Sequence, residues 1–252
     1  KNYKKPLSCL AVYSPGVAKI IDGIVDIILV GDSLGITLYG MKNTQGVTLE
    51  IMEKHGLAVT KNVKKSISVI DMPYKSYENK RQAYTNAKKL LDSTKANFVK
   101  LEINSKKIPI VKYLSDKKIN VMVHIGVTPQ SHNDFKKIKV VGRTEHEFNQ
   151  LILLAKNAEL SGAKVLLLEC ITERLAKNIT SSVSIPTIGI GASKNCNGQI
   201  LVFDDLINLN NENKYKFVKN YMNFNRLSKT AVKKFSNEVK SRKFPGKKNS
   251  YK

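Results

Sequence analysis

The sequence lacks any apolar run of about eighteen residues, the length that a transmembrane helix requires, so no membrane span is expected. The N-terminal stretch KNYKKPLSCLAVYS has only a short apolar part before Ser14 and Pro15. That part predicts a first strand and argues against a signal peptide. At 252 residues the chain is long enough to bury a full hydrophobic core.

Cysteine is scarce. The chain has three cysteines, Cys9, Cys170 and Cys196, which is an odd number with no CxxC spacing. This usage predicts unpaired thiols in a reducing cytoplasm and argues against a structural zinc site.

Acidic residues are also few. There are 20 Asp and Glu against 43 Lys and Arg, which gives a net charge of +23. The lysines are scattered among many Asn and Ile residues, as in proteins of AT-rich genomes, so nucleic acid is not an expected partner. The exception is the segment 214–252, which has 13 basic residues and one acid, Glu238. Its apolar residues recur at helical spacing and predict one or two basic amphipathic helices.

Short apolar runs alternate with helical patterns along the whole chain. Helices are predicted at 78–93, at 147–162 with Gly162 as the stop, and after Thr172 as an N-cap. About eight strands fit one α/β domain, a (β/α)8 TIM barrel over 1–252 with 214–252 as a helical extension. A doubly wound open sheet is the alternative. The predicted strands lie at 8–13, 26–31, 66–71, 97–102, 119–124, 164–169, 185–190 and 199–203.

The predicted strands repeatedly end on polar or charged side chains. In a barrel, the carboxyl ends of the strands converge on one mouth, where the chemistry takes place. A single acid at such a position is more often an N-cap or an ion-pair partner, but four carboxylates from four strands would repel one another there. The residues concerned are Asp32, Ser33, Asp71, Lys100, Glu102, His124 and Glu169.

A bound cation would relieve this repulsion. Asp32, Asp71 and Glu102 offer hard oxygen ligands, and His124 is the one nitrogen candidate nearby in this set. Mg²⁺ fits such ligands best, since it also keeps positions open for a substrate. A carboxylate off the metal in an apolar surround would have a raised proton affinity and could act as a base. The pattern alone leaves open which of the four carboxylates that is.

The chain resembles the ketopantoate hydroxymethyltransferase family. The combination of VGDSLG at 30–35 with HIGVTPQS at 124–131 is highly specific for it. The matching blocks follow the family order across nearly the whole chain: LVGDSLG (29–35), IDMPY (70–74), VKLE (99–102), HIGVTPQS (124–131), KVVGR (139–143), GAKVLLLEC (162–170), IPTIGIGA (185–192), GQILV (198–202) and FPG (244–246).

The resemblance implies a barrel of the phosphoenolpyruvate/pyruvate superfamily and a role for each strand-end residue. One Mg²⁺ per subunit would be held by Asp32, Asp71 and Glu102. The substrate would contact Asp32, Ser33, Asp71 and Lys100, with His124 in a supporting position beside the substrate or metal. Glu169 would be the catalytic proton acceptor.

The implied reaction is transfer of a hydroxymethyl group from 5,10-methylenetetrahydrofolate, a co-substrate, to 3-methyl-2-oxobutanoate. Mg²⁺ would polarise the keto group and stabilise the enolate that forms when C3 loses its proton. The product, 2-dehydropantoate, belongs to pantothenate biosynthesis. The resemblance also implies a cytoplasmic homo-oligomer, a decamer, and the segment 125–145 is expected to cover the site.

Several positions depart from the family pattern, and they concern folate contacts, subunit contacts and turnover. They leave the implied metal, substrate and base positions intact. Two alternatives are considered beside this function: another Mg²⁺-dependent reaction of a 2-oxo acid, such as a lyase or mutase, and a non-enzymatic role of the basic tail in polyanion binding. The departures are Ser14, Gln45, Gly46, Lys136, Lys137, Ser193, Asn197 and the stretch 204–208.

Overall fold

The structure is a computed structural model that describes residues 5–133, 139–209 and 215–251. The chain divides into two compact units, the first ending at Val202 and the second beginning at Phe203. Lys136 and Lys137, together with the rest of 134–138 in the segment expected to cover the site, lie outside the described residues.

The first unit is a closed barrel of eight parallel strands in sequence order. β8 pairs in parallel with β1 over five residues, so the sheet has no open edge, and the open-sheet alternative is excluded. The predicted (β/α)8 barrel is confirmed. The strands are β1 (Leu7–Ala11), β2 (Ile27–Val30), β3 (Ile67–Asp71), β4 (Phe98–Glu102), β5 (Val121–Gly126), β6 (Val165–Glu169), β7 (Thr187–Ile190) and β8 (Gly198–Val202).

Continuous apolar strands form the centre of this barrel. All four residues of β2 are buried, as are the first four of β6. Parallel strands are covered on both faces, so both sides of each strand need apolar side chains. The register places Asp71 beside Lys100, Glu102 beside His124 and Gly126 beside Glu169. Neighbouring strands therefore present their last residues side by side at one end.

The helices of the first unit follow the strands. They are α1 (Pro15–Ile21), α2 (Leu34–Thr37), α3 (Leu49–Thr60), α4 (Lys80–Thr94), α5 (Ile108–Asp116), α6 (Glu145–Leu160) and α7 (Glu173–Ser182). Short 3-10 turns lie at Thr44–Gly46, Ser105–Lys107 and Pro129–Ser131.

Local signals account for the helix ends. Thr144 and Glu147 form a reciprocal capping box at the start of α6, two residues before the predicted start of that helix. The helix ends before Gly162, whose φ of 92° suits glycine. The predicted N-cap Thr172 accepts a hydrogen bond from the Leu175 N–H. The predicted helix 78–93 is observed as α4.

The second unit contains α8 (Phe203–Leu206) and α9 (Phe224–Lys240). The basic amphipathic helix expected within 214–252 is present as α9, with exposed apolar residues such as Val232 and Phe235. The single-domain boundaries proposed from the sequence remain a prediction. Among the helices of the described residues, none combines the length and the apolarity needed to cross a membrane.

Asp22 ties the end of α1 to the segment before β3. Burial acts to raise the pKa of the Asp22 carboxyl, but hydrogen bonds from the backbone N–H groups of Ser66, Lys65 and Lys64 outweigh it and lower this pKa to about 2. A carboxyl whose folded pKa is lowered stabilises the fold above its unfolded pKa of about 3.9, and this contribution is lost as the pH falls through the folded value.

Asp22→Asn should therefore lower the urea midpoint at pH 7, and its difference from the wild type should shrink from pH 5 downwards. Unfolding titrations at several pH values measure this. Asp116→Asn, an exposed acid paired with Lys112 on its own helix, is the control and should show a much smaller effect at pH 7. A difference for Asp22→Asn that does not change with pH would contradict the assignment.

Candidate active site

The strand-end residues predicted to act together lie at the carboxyl-terminal mouth of the barrel. Asp32 follows β2 and Asp71 ends β3. Lys100 and Glu102 belong to β4, two residues apart, so their side chains share one side of the strand. His124 lies in β5 and Glu169 ends β6.

Lys100 links the acidic residues of this mouth. Its Nζ lies 2.7 Å from Asp71 Oδ2 and 3.9 Å from Glu102 Oε1. The backbone N–H of Asp32 points to the same Asp71 oxygen at 3.3 Å. Burial opposes protonation of Lys100, but Asp71, Glu102 and Asp32 together raise its pKa, so it stays charged.

Three carboxylates of the mouth are almost completely buried. Asp32, Asp71 and Glu102 are 4%, 1% and 3% exposed. Burial and the neighbouring carboxylates raise the pKa of Asp32, and burial raises that of Asp71. Burial also acts against ionisation of Glu102, yet the nearby His124, Lys100 and the Gln130 N–H lower its pKa. If all three ionise, Lys100 leaves two negative charges unbalanced, since each carboxylate carries one.

His124 lies between two of the acids. Its Nδ1 is 3.5 Å from Glu102 Oε1, and its Nε2 is 3.4 Å from Glu169 Oε2. Burial raises the pKa of Glu169. The Glu169 side chain is nonetheless 21% exposed, against 3% for Glu102. Glu169 is therefore the acid of this mouth that combines a raised pKa with a side chain that a bound molecule could reach.

Ser33 lies at the rim of the site. Its Oγ is 2.7 Å from the Tyr13 hydroxyl. His55 Nδ1 lies 2.8 Å from the backbone oxygen of Tyr13, and His55 Nε2 lies 3.1 Å from the Tyr39 hydroxyl. His55 therefore supports the residues behind Ser33.

Two residues of the site were missed by sequence reasoning. Gln130 is 3% exposed, its Nε2 donates to Asp32 Oδ2 at 2.8 Å, and its backbone N–H donates to Glu102 Oε2 at 2.9 Å. The Tyr77 hydroxyl contacts Gln130 Oε1 at 2.5 Å. Gln130 lies within HIGVTPQS, a block that was recognised without a role for its glutamine. For Tyr77, three residues beyond IDMPY, the sequence carried no signal.

The donor set suits a hard divalent cation. Asp71 Oδ1 and Glu102 Oε1 are buried and have no hydrogen-bond partner among the described residues. Within the same residues, no three His, Cys, Asp or Glu side chains form a preformed metal cluster. Mg²⁺ is compatible with this spacing, because it is commonly held by one or two carboxylates with water and substrate completing its octahedron. The three-ligand assignment to Asp32, Asp71 and Glu102 stays a prediction.

Comparison with known families decides the classification. The family model of ketopantoate hydroxymethyltransferase matches residues 1–247. The chain belongs to the ketopantoate hydroxymethyltransferase family. The family predicted from the motif blocks is thereby confirmed, and with it the expectation that the protein is an enzyme of this family.

Named relatives of this hydroxymethyltransferase family align over nearly the full chain. A 3-methyl-2-oxobutanoate hydroxymethyltransferase of Pelagibacter ubique (strain HTCC1062) is 45% identical over 251 residues, covering 100% of this chain and 96% of the relative. One from Rhizobium rhizogenes (strain K84 / ATCC BAA-868) is 42% identical, covering 96% and 89%.

Solved structures share the fold of this family member at low sequence identity. A 2,3-dimethylmalate lyase of the PEP mutase/isocitrate lyase superfamily aligns with a TM-score of 0.61 and 14% identity, covering 97% of this chain and 86% of that one. A phosphonopyruvate hydrolase complex with oxalate and Mg²⁺ aligns with a TM-score of 0.61 and 11% identity, covering 97% and 88%. These likenesses support the barrel fold.

Gly126 holds the position of Glu169. Its φ is +102°, and a Cβ atom there would lie 2.3 Å from the Glu169 backbone oxygen. Gly126→Ala should therefore destabilise the protein by about 2 kcal/mol, the order of cost for a strained left-handed residue, and should displace Glu169. Urea unfolding measures the stability, and loss of enzyme activity in the folded fraction reports the displacement.

Gly16→Ala is the matched control for this substitution. A Cβ at Gly16 would meet nothing within 4 Å, so its stability and activity should remain close to wild type. A Gly126→Ala variant with wild-type stability and activity would show that the close approach does not constrain Glu169.

Proposed function

We propose that the protein converts 3-methyl-2-oxobutanoate to 2-dehydropantoate, with 5,10-methylenetetrahydrofolate as the one-carbon donor. The observation that carries the proposal is the charge arrangement of the mouth. Three buried carboxylates face one buried ammonium group, Lys100, and a more exposed acid with a raised pKa, Glu169, lies beside them. The names of the relatives support the substrate. The folate donor is the one that the resemblance of the motif blocks implies.

Mg²⁺ is the cation that we assign to this mouth, one per subunit. Asp32, Asp71 and Glu102 would hold it directly or through water, with the buried oxygens Asp71 Oδ1 and Glu102 Oε1 available. When bound, Mg²⁺ supplies a Lewis acid beside the keto oxygen and carboxylate of the substrate, and so stabilises negative charge that develops on that oxygen.

The residues around the cation bind and orient the substrate. Lys100 stays charged next to Asp71, so it can also balance charge on the substrate. Ser33 offers a hydroxyl at the rim, positioned by Tyr13. Glu169 accepts the proton from C3 because its raised pKa brings it closer to the range in which a carboxylate is an effective base. His124, 3.4 Å from Glu169, stabilises the orientation of the base.

Carbon transfer follows the loss of the C3 proton. The electron pair left at C3 forms a C–C bond with the methylene carbon of the folate, and both bonds from that carbon to folate nitrogens, N5 and N10, break. Water supplies the hydroxyl oxygen, and tetrahydrofolate leaves with the balancing protons. The folate is thus consumed as a co-substrate.

The proposal also covers the cellular location and the assembly of the enzyme. A cytoplasmic location is supported by three unpaired cysteines, Cys9, Cys170 and Cys196. The proposed assembly is a homo-oligomer, a decamer by family resemblance. Residues 214–252 are proposed to be a helical extension of the barrel domain.

Glu169→Gln tests the base. Deuterium exchange at C3 of 3-methyl-2-oxobutanoate, followed by NMR in D₂O with Mg²⁺, should fall at least about 100-fold, since an amide cannot accept the proton. Glu173→Gln, an exposed acid in the first turn of α7, is the control and should exchange at the wild-type rate. Unchanged exchange in Glu169→Gln would remove this residue from the role of base.

Asp71→Asn tests the metal assignment. After EDTA has removed bound metal, added Mg²⁺ should raise the melting temperature of the wild type, because a ligand that binds only the folded state stabilises it. At a Mg²⁺ concentration about one hundred times its Kd, the free energy of unfolding should increase by about 2.7 kcal/mol. The variant should lose this response, because it keeps the shape of the side chain but not its charge. An equal Mg²⁺ response in both proteins would place the metal elsewhere.

Formation of 2-dehydropantoate only when 5,10-methylenetetrahydrofolate is present would establish the full reaction. Mass spectrometry of the products checks this. Cleavage of a 2-oxo acid without folate would instead favour lyase chemistry of the same superfamily.

A further inference from the structure

Gln130 occupies the centre of the acidic mouth. It lies in the 3-10 turn Pro129–Ser131 and is 3% exposed. Its Nε2 donates to Asp32 Oδ2 at 2.8 Å and to the Met72 backbone oxygen at 2.9 Å. Both amide protons are therefore used, and one of them is bound to a carboxylate assigned above as a metal ligand.

Tyr77 fixes which way this amide faces. Its hydroxyl contacts Gln130 Oε1 at 2.5 Å and is also 3.2 Å from the backbone oxygen of Glu102. If the amide were turned over, Gln130 Oε1 would face the Asp32 carboxylate, and two acceptors would meet without a proton between them. The Nε2 group is therefore held towards Asp32.

Donors from the protein occupy one oxygen of each buried carboxylate. Lys100 binds Asp71 Oδ2, the Gln130 backbone N–H binds Glu102 Oε2, and the Gln130 side chain binds Asp32 Oδ2. The second oxygens of Asp71 and Glu102 accept no hydrogen bond among the described residues, although Glu102 Oε1 lies 3.5 Å from His124 Nδ1 and 3.9 Å from Lys100 Nζ. The arrangement thus presents single oxygens to the mouth instead of chelating pairs.

We propose that Gln130 is a specificity-determining residue that limits Asp32 to one oxygen for the cation and thereby favours Mg²⁺ over Ca²⁺. Ca²⁺ takes six to eight oxygens and readily accepts both oxygens of one carboxylate, whereas Mg²⁺ requires a small, near-ideal octahedron. This inference rests on the metal site of the proposed function.

Ion competition tests the proposal without measuring turnover. Bound and free Mn²⁺ are distinguished by electron paramagnetic resonance, and displacement of Mn²⁺ by Mg²⁺ or by Ca²⁺ gives both affinities. Gln130→Met keeps the size of the side chain and removes its hydrogen bonds. Gln150→Met, on an exposed position of α6, is the matched control.

The Mg²⁺ affinity of Gln130→Met should fall about tenfold, the lower end of the cost of losing a group that orients a metal ligand. Its Ca²⁺ affinity should change less than the Mg²⁺ affinity or increase, so the preference for Mg²⁺ decreases. Tyr77→Phe removes the hydroxyl that contacts the Gln130 amide but leaves the amide itself in place. It should lower the preference for Mg²⁺ over Ca²⁺ by a smaller factor. Gln150→Met should match the wild type.

Equal losses of Mg²⁺ and Ca²⁺ affinity in Gln130→Met, or unchanged values, would overturn the proposal and leave Gln130 a packing residue. If Gln130→Met does not fold, Tyr77→Phe decides by the same ratio. A wild type that binds neither Mg²⁺ nor Mn²⁺ would instead overturn the metal site of the proposed function, and the inference with it.

Discussion

The mutual repulsion of three buried carboxylates is the constraint on which the site depends. Asp32, Asp71 and Glu102 come from three successive strands and are nearly inaccessible to water. Without compensation they would take up protons or force the strands apart. Lys100 compensates part of this charge, and its own burial is possible because the acids surround it. The remaining negative charge supports the proposal that a divalent cation binds in this mouth.

Charge and accessibility separate the acids into two roles. The three acids nearest to Lys100 are buried and held by protein donors, so they are suited to binding. Glu169 ends β6, has a more exposed side chain, and lies beside His124, whose Nε2 is 3.4 Å from Glu169 Oε2. Gly126 lets the backbone of β5 approach that of β6 closely at the end of the strand, since a Cβ atom there would lie 2.3 Å from the Glu169 backbone oxygen. Carboxylates of the same mouth thus lie in two different environments.

Much of the fold and part of the site could be predicted from the order of residues. The apolar runs and their polar ends predicted the strands and the residues of the mouth, and Thr172 and Gly162 predicted helix ends. Gln130 and Tyr77 could not be predicted in this way. Their importance depends on contacts with residues 98 and 25 positions away along the chain, and no local pattern encodes such contacts.

The sequence by itself determined the eight-strand alternation, the family and the acids at the strand ends, because periodicity and motifs are local properties of the chain. Only the tertiary structure decided that the sheet closes, since closure depends on pairing of β1 with β8. It also decided which carboxylate oxygens are bound by Lys100 and Gln130 and which are left, because a hydrogen bond depends on distances of a few tenths of an ångström between distant parts of the chain.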